Sequence, residues 1–285
     1  MPVLEINDKN FPFNLRKITP KVTRLYYKGH YRKNLFQKSL AVVGSRKMTQ
    51  YGQRVIESLL PPLATAGITI ISGFMYGVDQ AAHKVTLEQD GKTVAVLGWG
   101  IDWPVEHADQ KLYQEIEEKG LILSEYPANV TPQLWMFPRR NRIMAGLSQA
   151  VLIIEAAENS GSLITASYAQ KYNKQLFAVP GPIASTVSQG TNNLIKSHQA
   201  ITVTSASDIL RNMKWLKEIK PSLSTTEDTT RDLILQLLAN EPLTIDELAL
   251  SLNTPVEKIS VKLSLLQLKG RVEEKEGKYY NKIKQ

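Results

Sequence analysis

Seven short apolar runs punctuate the chain between residues 41 and 204, and amphipathic stretches of helical period lie between them. The runs fall at 41–43, 68–72, 93–97, 121–124, 151–155, 175–179 and 201–204, with helical patterns at 51–65, 78–89, 109–119 and 163–172. Runs of this length that are apolar almost throughout are strands buried on both faces, which requires a parallel sheet with helices packed on either side. Right-handed crossovers then make the expected fold α/β, an extended Rossmann-like, doubly wound and mostly parallel sheet. In such a sheet ligands bind beyond the carboxyl ends of the strands, so the strand-end turns are the first places to search for chemistry.

The domain expected for this pattern covers residues 39–213. A Ser/Thr-rich segment at 214–230 lacks apolar periodicity and reads as a linker. Beyond it, helical patterns at 231–239, 244–252 and 255–269 precede a hairpin at 271–280 that turns at Gly277. Thr244 and Glu247 have the spacing of a capping box, and Pro255 suits a first helical turn. Three helices and a hairpin make the small C-terminal unit, 231–285, a winged helix.

Charge is distributed unevenly. Residues 1–38 hold nine Lys/Arg against two Asp/Glu, residues 39–227 hold 17 against 16, and residues 228–285 hold nine of each, for a total of +8. The first segment is therefore expected as a basic N-terminal arm. Its Tyr26, Tyr27 and Tyr31 either stack on bases or pack against the main domain. The neutral C-terminal unit argues against strong duplex binding, because phosphate neutralisation dominates such affinity. With no cysteine there is no disulfide framework or thiolate chemistry. No apolar run approaches the ~20 residues of a membrane span, and the N-terminus lacks a secretory pattern. A cytoplasmic protein that does not engage membranes is expected.

The richest stretch is 136–162, MFPRRNRIMAGLSQAVLIIEAAENSGS. Arg139, Arg140, Asn141 and Arg142 lead into a helix, an apolar strand follows, and Ser160, Gly161 and Ser162 sit where the next helix opens. The exposed N–H groups of a helix start favour an anion. Gly44, Ser45 and Arg46 follow the first apolar run directly: the glycine permits close backbone approach, the serine offers a hydroxyl, and the arginine can grip a phosphate bidentately. Phe137 can stack on a base or serve the core.

Other chemistries are weaker. Asp79 and His83 lie one turn apart without an accompanying nucleophile, which favours a structural role. Gly98-Trp99-Gly100 lacks the third glycine of a dinucleotide fingerprint, there is no Walker loop, and the four histidines show no metal-ligand spacing. No cofactor, metal or catalytic residue is assigned. Glu125 and Glu155 end strands, and paired carboxylates can hydrolyse glycosidic bonds; beside a phosphate cradle they are better placed to brace arginines. Pro180-Gly181 and the turn 189–192 complete the strand-end crevice.

The motifs GSR at 44–46, SGFMYGVDQAAH at 72–83, SEYP at 124–127, FPRRNRIMAGLS at 137–148, SGSLITASYA at 160–169, VPG at 179–181 and QGTNNLI at 189–195 resemble those of the DNA-processing protein A (DprA/Smf) family. The resemblance implies a non-enzymatic, homodimeric protein that binds and protects single-stranded DNA and loads the RecA recombinase in natural transformation. It also implies that Arg46 and the 160–162 turn meet phosphates while the FPRRNR block shapes the pocket. Trp103 and Gln199 depart from the family's usual residues. Two alternatives are a Rossmann-type nucleotide phosphoribohydrolase of the lysine-decarboxylase-like group, whose PGGxGTxxE motif is missing here, and a duplex-DNA regulator acting through the winged helix.

Overall fold

The structure is a computed structural model that describes residues 2–215, 226–252, 254–275 and 277–282, with the side chains of 226–232 outside that description. In chain order the first unit runs β1 (Val3–Glu5), β2 (Arg24–Gly29), β3 (Ser39–Val43), α1 (Gln50–Thr65), β4 (Thr69–Ser72), α2 (Val78–Glu88), β5 (Thr93–Leu97) and α3 (Gln110–Lys119). It continues through β6 (Leu121–Ser124), α4 (Met136–Leu147), β7 (Ala150–Ile153), α5 (Ser162–Lys171), β8 (Gln175–Ala178), α6 (Gln189–Lys196), β9 (Ile201–Thr202) and α7 (Ala206–Asn212).

These strands form one sheet in the order β1-β2-β6-β5-β4-β3-β7-β8-β9. From β3 the chain winds outward through β4, β5 and β6, all parallel, then returns to the other side of β3 with β7 and winds outward again. The order reverses between β3 and β7, and the carboxyl ends of those two strands flank the switch-point crevice. Alternate residues of both strands serve opposite faces. Ala41, Val43, Val151 and Ile153 pack with Ile143 and Ala166 from α4 and α5. Leu40, Val42, Ala150 and Leu152 pack with Leu60, Val85 and Ile209 from α1, α2 and α7. The doubly wound expectation holds.

Four local expectations change. The basic segment 1–38 is not an arm: β2 pairs antiparallel with β6, from Tyr26 opposite Ser124 to Gly29 opposite Leu121, and β1 adds outside it. Phe11, Leu15, Ile18, Val22 and Leu25 are buried in the core that α4 and α5 share. Tyr27 and Tyr31 pack against that core, with ring centroids 5.5 Å apart, so packing is the reading realised. The arginines of 139–142 do not precede α4 but lie within it, and residues 189–192 begin α6 rather than a turn. Finally, helix α8 (Thr226–Asn240) starts inside the expected linker, whose residues 216–225 lie outside the described chain.

The second unit, 217–285, is described by itself. After α8 come α9 (Ile245–Ser251), α10 (Val256–Leu268) and a hairpin of β10 (Val272–Lys275) and β11 (Lys278–Asn281), which is winged-helix architecture. A bridge between Leu243 and Tyr279 ties the chain ahead of α9 to the wing. The capping box is formed: Glu247 N donates to Thr244 Oγ1 at 3.3 Å, and Thr244 N donates to Glu247 Oε2 at 2.8 Å. The Thr244 backbone N–H, and then its hydroxyl, hold the Glu247 carboxyl below its ordinary range. Thr244→Ala is expected to lower the local stability of this unit by about 1 kcal/mol. Hydrogen exchange of the α9 amides in the full chain should accelerate roughly fivefold, and unchanged exchange would contradict the cap's role.

Candidate functional site

The crevice begins with a turn that has little freedom. A Cβ on Gly44 would lie 2.6 Å from Val78 Cγ2, and one on Gly77, whose φ is +78°, would lie 2.4 Å from the Ser45 carbonyl oxygen. Val78 N donates to that carbonyl at 3.2 Å, so the first turn of α2 clamps the backbone of residues 44–46. Ser45 Oγ accepts from Lys47 N at 3.0 Å. Arg46 is left exposed, its guanidinium carbon 5.3 Å from the centroid of the Phe137 ring. A fixed backbone with a solvated cation at its tip is suited to an anionic ligand, because little ordering entropy remains to be lost.

Opposite stands the start of α5. Ser160 Oγ and Ser162 Oγ lie 2.8 Å apart, and Asn141 Nδ2 donates to the Gly161 carbonyl at 3.1 Å, tying α4 to this turn. A Cβ on Gly161 would meet nothing within 4 Å, so the turn faces open space. Between the two turns lies a cleft of about 560 Å³.

Helical period sorts the arginine cluster. Phe137, Arg140, Asn141 and Met144, at i, i+3, i+4 and i+7, line the cleft. Arg140 is almost wholly buried, donating to the carbonyls of Gly73 and Val96 and, at 3.3 Å, to Asn141 Oδ1. Desolvation, with Arg46 nearby, brings its guanidinium down to about 10, which keeps it cationic at neutral pH; Asp79 opposes the shift. Asp79 is itself pushed up by burial. Gly73 leaves room for this arrangement, since a Cβ there would lie 2.4 Å from Arg140 Nη1.

Arg139 and Arg142 do not join the cleft. Arg142 has 0% of its side chain exposed and donates to Glu125 Oε1 at 2.5 Å and to the Lys21 carbonyl at 3.3 Å. Arg139 reaches Glu125 Oε2 at 3.5 Å and lies over the Trp135 ring at 5.7 Å. The geometry therefore assembles Gly44, Ser45, Arg46, Phe137, Arg140, Asn141, Ser160, Gly161 and Ser162, and sets Arg139 and Arg142 to brace α4. It adds Lys47, an exposed cation one residue past Arg46 that lines the same cleft. Extending the strand-end turn by that residue would have found it.

Glu155, Glu125 and His83 are each engaged by neighbouring groups. Glu155 Oε2 accepts from Thr49 N at 2.9 Å and holds the start of α1, while Glu125 braces the two arginines. His83 is fully buried with Nδ1 2.7 Å from Thr93 Oγ1, and burial lowers it to about 3. No group of His, Asp and Glu suited to a metal occurs among the described residues. His83 has a consequence for stability. The unfolded chain takes a proton on this imidazole near pH 6.5 and the folded chain does not until about pH 3, so stability falls as pH drops through 6.5 toward 3. Asp79, raised by burial, works in the opposite sense at the acidic end. Unfolding free energies from urea titrations between pH 7 and pH 5 should decline at up to ~1.4 kcal/mol per unit, less steeply in His83→Gln. Equal slopes in both proteins would refute the assignment.

On the winged helix α10 exposes an apolar stripe. Val261, Leu265 and Leu268 are exposed at i, i+4 and i+7, Leu268 at 84%. A helix that reads duplex DNA presents polar and basic groups there instead.

Two family models match. One, DNA recombination-mediator protein A, covers residues 2–214, and the other, the DprA winged helix domain, covers 218–278. Protein Smf of Escherichia coli K12 is 40% identical over 84% of this chain and 67% of its own length. The putative DNA processing protein DprA of Mycobacterium tuberculosis is 33% identical over 85% of this chain and 64% of its own, so the chain spans about two thirds of these relatives. The solved structure of DNA processing protein A from Streptococcus pneumoniae superposes with a TM-score of 0.69 at 37% identity, over 74% of this chain and 73% of that one. That from Helicobacter pylori, described for its single-stranded DNA binding mode, gives 0.66 at 31% identity, over 75% of this chain and 95% of that one. No helix among the described residues is long and apolar enough to cross a membrane. With both units matched, and the sheet shared by relatives of more than 30% identity, the chain belongs to the DNA recombination-mediator protein A (DprA/Smf) family and carries that family's winged-helix domain.

Proposed function

We propose that this protein binds single-stranded DNA in the switch-point cleft and passes the strand to the RecA recombinase, breaking no covalent bond. One observation carries the reading most directly: exposed Arg46, on a clamped turn, faces the small-residue start of α5 across a cleft whose floor holds the buried cation Arg140. Phosphates of the strand lie against Arg46, Lys47 and the 160–162 turn, and a base stacks beside Phe137. Sequence preference is low, because phosphate contacts carry no base information. The H. pylori relative, whose structure is described for its single-stranded DNA binding mode, supports the ligand. The family's description as a recombination mediator supports the handover to RecA. We assign the active form as a homodimer in the cytoplasm, where an incoming strand meets the recombinase.

The two carboxylates that the hydrolase alternative would use are both engaged, Glu155 at the start of α1 and Glu125 with two arginines. The test is an anisotropy titration of labelled single-stranded and duplex oligonucleotides across a salt series, followed by RecA filament nucleation on protein-coated strands. Single-strand preference with a steep salt slope is expected. Duplex preference would return the winged helix to the centre, and release of free base from AMP would favour hydrolysis.

A further inference from the structure

A second cleft, of about 410 Å³, lies at the opposite end of the strands that flank the switch point. Its floor is Phe36 and Gln37, just ahead of β3, with Leu147 and Gln149, just ahead of β7. Gln149 fastens this floor: its N–H donates to the Ser39 carbonyl at 2.9 Å and its Nε2 to the Phe36 carbonyl at 3.2 Å. Helix α4 connects the two clefts, with Phe137 lining the first and Leu147 the second, roughly 15 Å apart at 1.5 Å per residue.

The wall of the second cleft comes from the N-terminal segment and contributes Lys9, Arg16 and Lys33, all exposed, and no carboxylate. The nearby acids lie outside the lining: Glu5 pairs with Arg24 at 3.1 Å, and Asp8 turns its Oδ2 to Glu5 N at 2.7 Å. Arg16 is held in place by donating to the Asp8 carbonyl at 2.6 Å. Phe13 lies at the edge with 64% of its surface exposed and Lys17 Nζ 4.5 Å from its ring centroid. Tyr31 and Phe36 complete an aromatic side to the same cleft. Three cations around a cleft whose lining holds no carboxylate, beside an exposed ring, form the combination that tracks a phosphate backbone and stacks its bases.

We propose that this cleft is a second binding site for single-stranded nucleic acid, in which Lys9, Arg16 and Lys33 take phosphates and Phe13 stacks a base. The proposal rests on the reading of the protein as a single-strand binder. The two clefts lie at opposite ends of α4, whose residues 140–147 are buried, so a strand occupying both passes over the surface beside that helix and the chain holds a longer segment than one cleft can cover. The basic excess of residues 1–38 is thereby used, although the segment's strands belong to the sheet.

The experiment compares four full-length proteins: wild type, Arg46→Ala, the combination Phe13→Ala with Lys9→Gln and Lys33→Gln, and all four substitutions together. An oligonucleotide too short to reach both clefts and one long enough to span them are titrated by anisotropy across salt. Wild type should bind two short strands per chain, and each set of substitutions should remove one. On the long strand the combined N-terminal variant should lose at least tenfold in affinity. Its log–log salt slope should be shallower by about 1.4, two phosphate contacts at roughly 0.7 each. A single short-strand site that Arg46→Ala abolishes and the N-terminal variant leaves intact would overturn the second site while sustaining the first. Failure of wild type to bind either strand would overturn the functional reading on which both rest.

Discussion

Arg46→Ala should weaken single-stranded DNA binding about ten- to a hundredfold and leave the thermal midpoint unchanged. A charge-assisted contact to a phosphate is worth roughly 1.5–3 kcal/mol, and each tenfold in affinity corresponds to about 1.4. The side chain is exposed and lies against the Phe137 ring, so its removal costs the fold little. The turn that carries it is held by backbone contacts to α2 that do not involve the guanidinium. The salt slope should fall by about 0.7 for the lost phosphate. Arg46→Lys keeps the charge and loses the bidentate fork, so it should retain the slope while recovering only part of the affinity. Wild-type affinity in Arg46→Ala would remove the residue from the site. A drop in affinity accompanied by an equal drop in midpoint would point to a damaged turn instead.

Much of this architecture is legible in the sequence because the parallel strands are apolar almost throughout. Runs such as 93–97 and 121–124 are buried on both faces, and their signal does not depend on knowing which face is which. The turns at 44–46 and 160–162 were equally legible, since a strand-end position already implies the crevice. What escaped was β2. RLYYKG buries only Leu25 fully and carries two cations, so its composition reads as surface although its backbone completes a sheet. Its role is fixed by long-range pairing with β6, which no local pattern records. The division of the arginine cluster is hidden for a different reason. Treated as a block, residues 139–142 read as one basic patch; laid on a helix, adjacent residues stand about 100° apart and must face different neighbours. The cleft received Arg140, while Glu125 drew Arg139 and Arg142 away.

That division yields the largest expected effect on stability. Arg142→Ala should destabilise the first unit by about 3–5 kcal/mol, because it leaves a mostly buried carboxylate with a single partially solvated partner. Glu125 has 11% of its side chain exposed, and its remaining partner, Arg139, reaches it only at 3.5 Å with 45% exposed. For a unit of this size the midpoint should fall by roughly 10 °C. Removing the charge on both sides, Arg142→Met with Glu125→Gln, should recover much of the loss, since replacing a buried ion pair by groups of similar volume is often near neutral. Arg139→Ala, on the exposed side of the same carboxylate, should cost under about 1 kcal/mol. The measurement that separates bracing from DNA contact is single-strand affinity well below the midpoint. If Arg142 acts through the packing of α4, affinity in Arg142→Met with Glu125→Gln stays within about twofold of wild type while Arg46→Ala loses its binding. A stable Arg142 variant that binds as poorly as Arg46→Ala would instead place this guanidinium on the strand, and would require α4 to turn about its axis when DNA enters.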